Sequence, residues 1–448
     1  MMKDRVNDVV LQSSRDEIRA RIDAGPISPM IIMIIGIGFL LNLVDGFDVV
    51  AMSVAGPSIS SDWGISDSEK GWILSSALVG MSIGAAFLAP LADVFGRRPL
   101  VIAATALIGV SMILTGFIPQ SVLLLMAVRV LAGLGIGIIF ANGAAIASEF
   151  SPDKYRNLAV TMVVMGYPFG AMVVGPIADF IIPIFGWEML FVYGGIATLL
   201  LGVMIHLTLP ESVMFLATRG RDPDRDLADI NSTLRKLGRE PLDELVRPSQ
   251  DDAVSSANVS SLLKAEHRTS TVVLWSVYFL GFLTLYFQLS WIPSLFVDSG
   301  FTRSQGIFAL TLNNMGAVIG IVAIGLITTH TKLARPISVF FAGSAVLMVV
   351  LYQFKTDSLL ALNASIFAIG LLLQGAFTAM YALAARVYPA EIRATGIGWA
   401  AGLGRTGAIL SPIAAGYLAS ANWDLYGLFL LFSFPLFAAA LLVLRFRH

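Results

Sequence analysis

Two aspartates, Asp45 and Asp48, flank Gly46 and Phe47 inside a long apolar run, as Asp-Gly-Phe-Asp. A spacing of three puts both carboxyls on one face of a helix. Two carboxylates that close and away from water cannot both ionise cheaply, so one is expected to hold a proton near neutral pH. Such a group can load and release that proton. The alternatives are that both acids line a wet vestibule, or that one pairs with a cation. Arg129 lies at a comparable depth in another apolar run. Its planar guanidinium matches a carboxylate, either one of these aspartates or that of an anionic ligand. Backbone carbonyls are the alternative partner. Arg405 lies near the middle of a further run. It is the only fixed positive charge expected inside the second-half helices and the first choice to hold a ligand carboxylate. A structural role against Ser411 or backbone is the alternative. A charge at mid-bilayer costs at least ~2.5–3.5 kcal/mol, so each of these residues needs a reason to be there.

The elements that must position them follow from composition. The chain has 448 residues, 56% hydrophobic and only 13% charged. Soluble domains carry about 25% charged residues, so lipid is the natural solvent for this surplus. Twelve apolar runs are long enough to span a bilayer: 30–56, 71–92, 99–118, 122–148, 157–183, 188–209, 271–296, 304–327, 336–354, 358–385, 395–420 and 425–444. The expected architecture is an all-α membrane protein with twelve transmembrane helices in two six-helix halves, 30–209 and 271–444. A polar linker over 210–270 joins them, and tails over 1–29 and 445–448 flank them. The first tail is polar throughout and does not read as a signal peptide. Lys and Arg are retained on the cytoplasmic side. With the amino terminus inside, all but Lys70, Arg303, Lys355 and the in-span Arg129 and Arg405 fall on that side. Both termini are therefore expected in the cytoplasm of a cell whose inner membrane the chain spans.

The halves are related. A shift of 237 residues lays Arg98-Pro99 on Arg335-Pro336 and Pro152 and Arg156 on Pro389 and Arg393. Basic loops recur because of the orientation rule, but that rule does not explain the matched prolines. Parallel repeats of six spans place a substrate site near mid-membrane between the halves. Other functions lack residues. There is no cysteine, and four histidines show no metal-ligand spacing. No nucleophile and base pair up, so no enzyme, metal or cofactor is expected. A net charge of -1 gives no basic surface for nucleic acid. Nothing requires more than a monomer.

The loop Ala89-Pro-Leu-Ala-Asp93-Val-Phe-Gly96-Arg97-Arg98 resembles the GxLaDrxGrR loop of the major facilitator superfamily, with Ala89 in place of its first glycine. Arg129-Val-Leu-Ala-Gly133-Leu-Gly135-Ile-Gly137 resembles its RxxxGxGxG motif, and Pro210-Glu211-Ser212 closes the first half as in many members. The Asp-Gly-x-Asp of span one resembles the aromatic acid:proton symporter branch. So do Tyr388-Pro389 through Gly396 and Gly402 through Gly407. In the second half the GxLaDrxGrR counterpart, Gly325 to Thr329, has no acid, and Gly175-Pro176 resembles only part of an antiporter motif. The resemblance implies the twelve-helix fold and proton-coupled import of an aromatic carboxylate by alternating access. Rivals are import of another organic anion or a sugar, and proton-driven export.

Asp45, Asp48 and Arg129 are then the expected proton-coupling group. Arg405 is expected to bind substrate with Phe47, Trp399 and Tyr286, because a guanidinium beside aromatic rings suits a flat anion such as benzoate. Offset stacking adds ~0.5–1.5 kcal/mol. Gln288, Asn313 and Asn314 lie mid-span and are candidates to read ring hydroxyls, while Tyr167 and Tyr381 are further lining candidates. Aromatic residues at helical spacing are as often packing as pocket. At the inner ends of spans two and four, Asp93 and Glu149 oppose their helix dipoles and need cations. Arg97, Arg98, Arg156, Arg386 and Arg393 are the candidates, forming an inner gate or plain surface pairs. His330, in a short loop, is a titratable group there.

Overall fold

In hydrocarbon a chain can satisfy its backbone only as helices or closed barrels. The computed structural model describes residues 14–219, 222–245, 259–328, 331–356 and 358–446, and these are helical nearly throughout. His330 and residues 1–13 of the first tail lie outside the described residues.

A short helix α1 (Ser14–Asp23) precedes the first half. That half contains α2 (Pro29–Trp63) and α3 (Asp67–Ile83), the latter continued by a π turn, a 3-10 turn and α4 (Ala92–Phe95). It is completed by α5 (Arg97–Thr115), α6 (Val122–Phe150), α7 (Asp153–Phe185) and α8 (Trp187–Thr208). The linker carries α9 (Val213–Arg219), α10 (Pro223–Lys236) and α11 (Val259–Leu262). The second half is α12 (Ala265–Asp298), α13 (Arg303–Thr328), α14 (Ala334–Phe354), α15 (Leu359–Val387), α16 (Ala390–Ser420) and α17 (Leu425–Val443).

Several helices overrun the apolar runs, because a helix continues past the hydrocarbon edge until a cap stops it. Helix α2 starts at Pro29 with the Ser28 hydroxyl accepting from the Ile31 amide, and stops only at Gly64. There φ is 65°, which glycine adopts without steric cost. Ser66 and Glu69 then form a capping box that starts α3. Among the described residues, eleven of the twelve long segments are apolar enough to cross a membrane. The twelfth, α16, is diluted by glycines, threonines and Arg405.

The 237-residue shift carries α6 onto α15 residue for residue, and the other five helices of the first half onto their counterparts within a few residues. Ser53 Oγ donates to the Ser290 carbonyl at 2.8 Å, so two positions related by that shift meet on the pseudo-twofold axis. Across the seam α2 packs on α12, α3 on α16 and α7 on α13, the last two pairs being images of each other. The side-chain bonds that cross the seam cluster at the end farthest from α1. Ser75 donates to the Ile409 carbonyl (2.8 Å), Arg303 to Ser58 (3.3 Å) and Ser304 to Asp179 (2.6 Å). Lys70, buried and paired with Asp67 at 2.7 Å, also holds its ammonium 5.1 Å from the Trp291 ring centre, one half gripping the other.

Candidate functional site

Small residues set the rotation of the helices that carry the acids. Gly166 and Gly170 of α7 let the carbonyls of Phe39 and Leu43 in α2 approach, while Gly46 of α2 lies against the backbone of Tyr167. Helices meeting this closely through glycine cannot turn about their axes. Gly46→Ala would drive a methyl into the Tyr167 carbonyl. It is expected to cost roughly 1–3 kcal/mol of stability, read as earlier thermal unfolding in detergent. A variant melting with the wild type would show that this contact has slack.

With α2 held that way, its two acids part company. Asp48 turns into the first half, where Arg129 grips it with two bonds of 2.7 Å. Both residues are all but fully buried, and the guanidinium also lies 5.7 Å from the Phe191 ring. Of the partners open to Arg129, the structure selects Asp48. Asp45 is equally buried, yet neither of its oxygens has a hydrogen-bond partner among the described residues. Its electrostatic neighbours are Asp48 and Tyr167.

Arg405 sits on the other half, half-buried and facing the first. It makes no ion pair among the described residues; its guanidinium lies 5.0 Å from the ring of Phe140 on α6. Tyr286 and Tyr381 of its own half, and Tyr167 of the opposite half, are within its electrostatic reach. Methyl groups placed on Gly398 or Gly402 would meet no atom within 4 Å. At about 100° per residue both share the Arg405 face, so an open track leads along α16 from its N-terminal part to the guanidinium. Ser411, the alternative partner, instead donates to the Leu283 carbonyl at 2.5 Å.

Several expected lining residues belong elsewhere. Trp399 lies six positions before Arg405, about 120° away around the helix. It packs against Trp275 at 6.4 Å instead of framing the guanidinium. Phe47, two positions from Asp45, points to the far side of α2 and lies against Gly194 of α8. Asn313 donates to Gln288 (3.0 Å) and to the Ile366 carbonyl (3.2 Å), tying α12, α13 and α15 together. Asn314 donates to Leu310 in its own helix at 2.9 Å. These amides are spent on helix packing. Tyr286 does sit beside Arg405, next to an aromatic nest of Tyr278, Phe282, Phe377 and Tyr381. Phe140 was not anticipated. The signal was there: it follows Arg129 by eleven positions, which is three turns and the same face.

At the end of the bundle nearest α1 the pairs stay within the first half. Arg97 meets Glu149 at 2.6 Å, and Ser212 donates to the same carboxylate. Arg98 donates to the His206 carbonyl, and Arg156 pairs with Asp153 at 3.0 Å. Arg386, Arg393 and Asp93 are exposed and make no ion pair among the described residues; Arg393 donates to the Tyr388 carbonyl. Among the described residues, neither Asp93 nor Glu149 pairs with Arg386 or Arg393. Glu211 has a role the sequence did not reveal. Its carboxylate accepts from the amides of Arg97 and Arg98 and so caps α5 at its positive end. Arg19 of α1 likewise bonds the last carbonyls of α6.

Comparison with known proteins gives this arrangement a context. A family profile described as Major Facilitator Superfamily matches residues 38–362 and 274–448. The chain is 33% identical over 414 residues to the 4-hydroxybenzoate transporter PcaK of Pseudomonas aeruginosa, covering 92% of this chain and 91% of that one. It is 31% identical to a gallate transporter of Pseudomonas putida (96% and 95% covered) and 28% identical to a benzoate transport protein of Acinetobacter baylyi (93% and 90%). The inward open xylose transporter XylE from E. coli shares the fold, with a TM-score of 0.72 at 17% identity over 93% of this chain and 96% of that one. Twelve long helices in two related halves, the family match along both and full-length relatives that are transporters lead to one conclusion: this chain belongs to the Major Facilitator Superfamily, as a multi-pass membrane transporter and not an enzyme.

Proposed function

We propose that the protein imports a small aromatic carboxylate together with protons across a bacterial inner membrane, with both termini and the linker in the cytoplasm. The observation that carries this reading is Arg405, a guanidinium on the seam without an ion pair among the described residues, with Phe140 over it and three tyrosines around it. The fork suits a carboxylate, and the rings suit a flat aromatic body. The relatives named for 4-hydroxybenzoate, gallate and benzoate support the same class of substrate.

In this reading the structure is the state closed outside and open inside. Asp45 takes the coupled proton, since no cation compensates it, while Asp48 and Arg129 hold each other. Substrate on Arg405 and a proton on Asp45 neutralise one charge on each half, which favours bringing the halves together. The inner pairs then reorganise, with Arg386 and Arg393 available to acids of the first half. One proton entering with one monoanion moves no net charge, so the pH difference drives uptake at about 1.36 kcal/mol per unit. A second proton would add about 2.3 kcal/mol per 100 mV.

The test is uptake of labelled benzoate, 4-hydroxybenzoate and xylose by cells expressing the chain, with and without a protonophore. Accumulation of an aromatic acid that collapses with the protonophore is the expected result. Accumulation indifferent to the protonophore would remove the proton, and xylose uptake unaffected by excess benzoate would remove the aromatic acid.

A further inference from the structure

Asp45 on α2 and Arg405 on α16 ride on opposite halves, and no ion pair joins them among the described residues. Two tyrosines meet across the seam beside them. Gly46 lies against the Tyr167 backbone, which fixes Tyr167 of α7 relative to Asp45. Tyr286 of α12 is buried and packs on Phe282, with ring centres 5.9 Å apart. The two hydroxyls share a hydrogen bond, which therefore runs from one half to the other. The Tyr167 hydroxyl is buried and makes no other hydrogen bond among the described residues. Asp45 acts electrostatically on Tyr167, and Arg405 acts on both tyrosines. On the elements packed against α2, Arg129 of α6 is taken by Asp48, and the other charged residues lie toward the helix ends. Tyr193 of α8 is exposed, and Tyr278 of α12 lies about two turns from Tyr286.

Resting on the reading that Asp45 takes the proton and Arg405 the carboxylate, we propose that the Tyr167 and Tyr286 pair couples the two sites: the charge of Asp45 sets which way the hydrogen bond between the hydroxyls runs, and so whether Tyr286 can donate to the bound carboxylate. Each hydroxyl has one proton to donate. While Asp45 is ionised, its field turns the Tyr167 O–H toward it. Tyr167 then accepts from Tyr286, whose own proton is spent. Once Asp45 is protonated, Tyr167 donates to Tyr286, and the Tyr286 O–H is free for the carboxylate on Arg405. Bonds in a chain polarise one another in this way. No proton leaves either tyrosine; only the hydroxyls turn. The proton thus strengthens substrate binding, and by linkage the substrate strengthens proton binding by the same factor. Tyr167 touches no substrate in this scheme and is a positioning residue.

The experiment measures the dissociation constant of labelled 4-hydroxybenzoate for the purified full-length protein between about pH 5.5 and about pH 8, a window that a carboxyl raised by burial can enter. Wild type should bind about tenfold more tightly at the acid end, the worth of one added hydrogen bond to a charged group. Asp45→Asn, Tyr167→Phe and Tyr286→Phe should each bring that ratio close to one, whatever their absolute affinities. Tyr381→Phe should keep it, because Tyr381 lies near Arg405 but on the same half. A tenfold ratio that survives in Tyr167→Phe or Tyr286→Phe, a ratio lost equally in Tyr381→Phe, or a flat wild-type profile overturns the coupling role while leaving the aromatic acid on Arg405. Wild-type protein that binds no aromatic acid at either end overturns the underlying reading and the coupling role with it.

Discussion

Arg405→Gln is expected to reduce aromatic-acid uptake by about a hundredfold or more at low substrate, with the protein still reaching the membrane. Removing one partner of a desolvated, hydrogen-bonded charge pair costs roughly 2–5 kcal/mol, and each 1.4 kcal/mol is tenfold. The fold should tolerate the change, because Arg405 supports no ion pair among the described residues and its ring contact, Phe140, belongs to the other half. Arg405→Lys separates charge from shape. It keeps one positive charge but loses the planar fork and the flat face that lies on Phe140. Residual uptake at about a tenth of the wild-type rate is expected from it. The measurement is initial uptake rate against concentration, normalised to protein in the membrane. Wild-type kinetics in the glutamine variant would remove Arg405 from the site.

The second large effect separates the two aspartates. Breaking a buried ion pair by removing one member costs about 3–5 kcal/mol, because the other charge is left uncompensated. Asp48→Asn strands Arg129, and Arg129→Gln strands Asp48, both deep inside the first half. Either single variant should melt well below wild type in detergent, and the double variant should recover much of the loss, since no lone charge remains. Asp45→Asn should behave differently. No hydrogen bond or ion pair among the described residues ends with it, so stability should hold, while proton-driven accumulation against a gradient disappears and downhill exchange continues. A stable Asp48→Asn protein, or normal accumulation by Asp45→Asn, would break this division of labour.

The shift that relates the halves shows how their chemistry differs at equivalent positions. Carried over 237 residues, Asp45 falls on Phe282, Asp48 on Leu285 and Arg129 on Ile366. The backbone positions that hold an ionic cluster in the first half hold apolar side chains in the second, and Phe282 packs on Phe377 with ring centres 4.5 Å apart. Arg405 falls back on Pro168, the neighbour of Tyr167. The two halves therefore present complementary chemistry at their seam, although their helices are laid out alike.

The sequence by itself determined the elements. Apolar runs of bilayer length read as helices, and the matched prolines disclose two halves. The costly charges Asp45, Asp48, Arg129 and Arg405 were also legible, because a charge in hydrocarbon needs a reason. Which way each helix turns was not legible. That Asp48 and not Asp45 meets Arg129, that Trp399 and Phe47 look away from the guanidinium, and that Gln288 and Asn313 satisfy each other all depend on rotation. Rotation is decided by contacts between residues far apart in the chain, such as Gly46 on Tyr167 or Gly170 on Leu43. Periodicity says which residues of one helix share a face, but only the packed bundle says what that face meets.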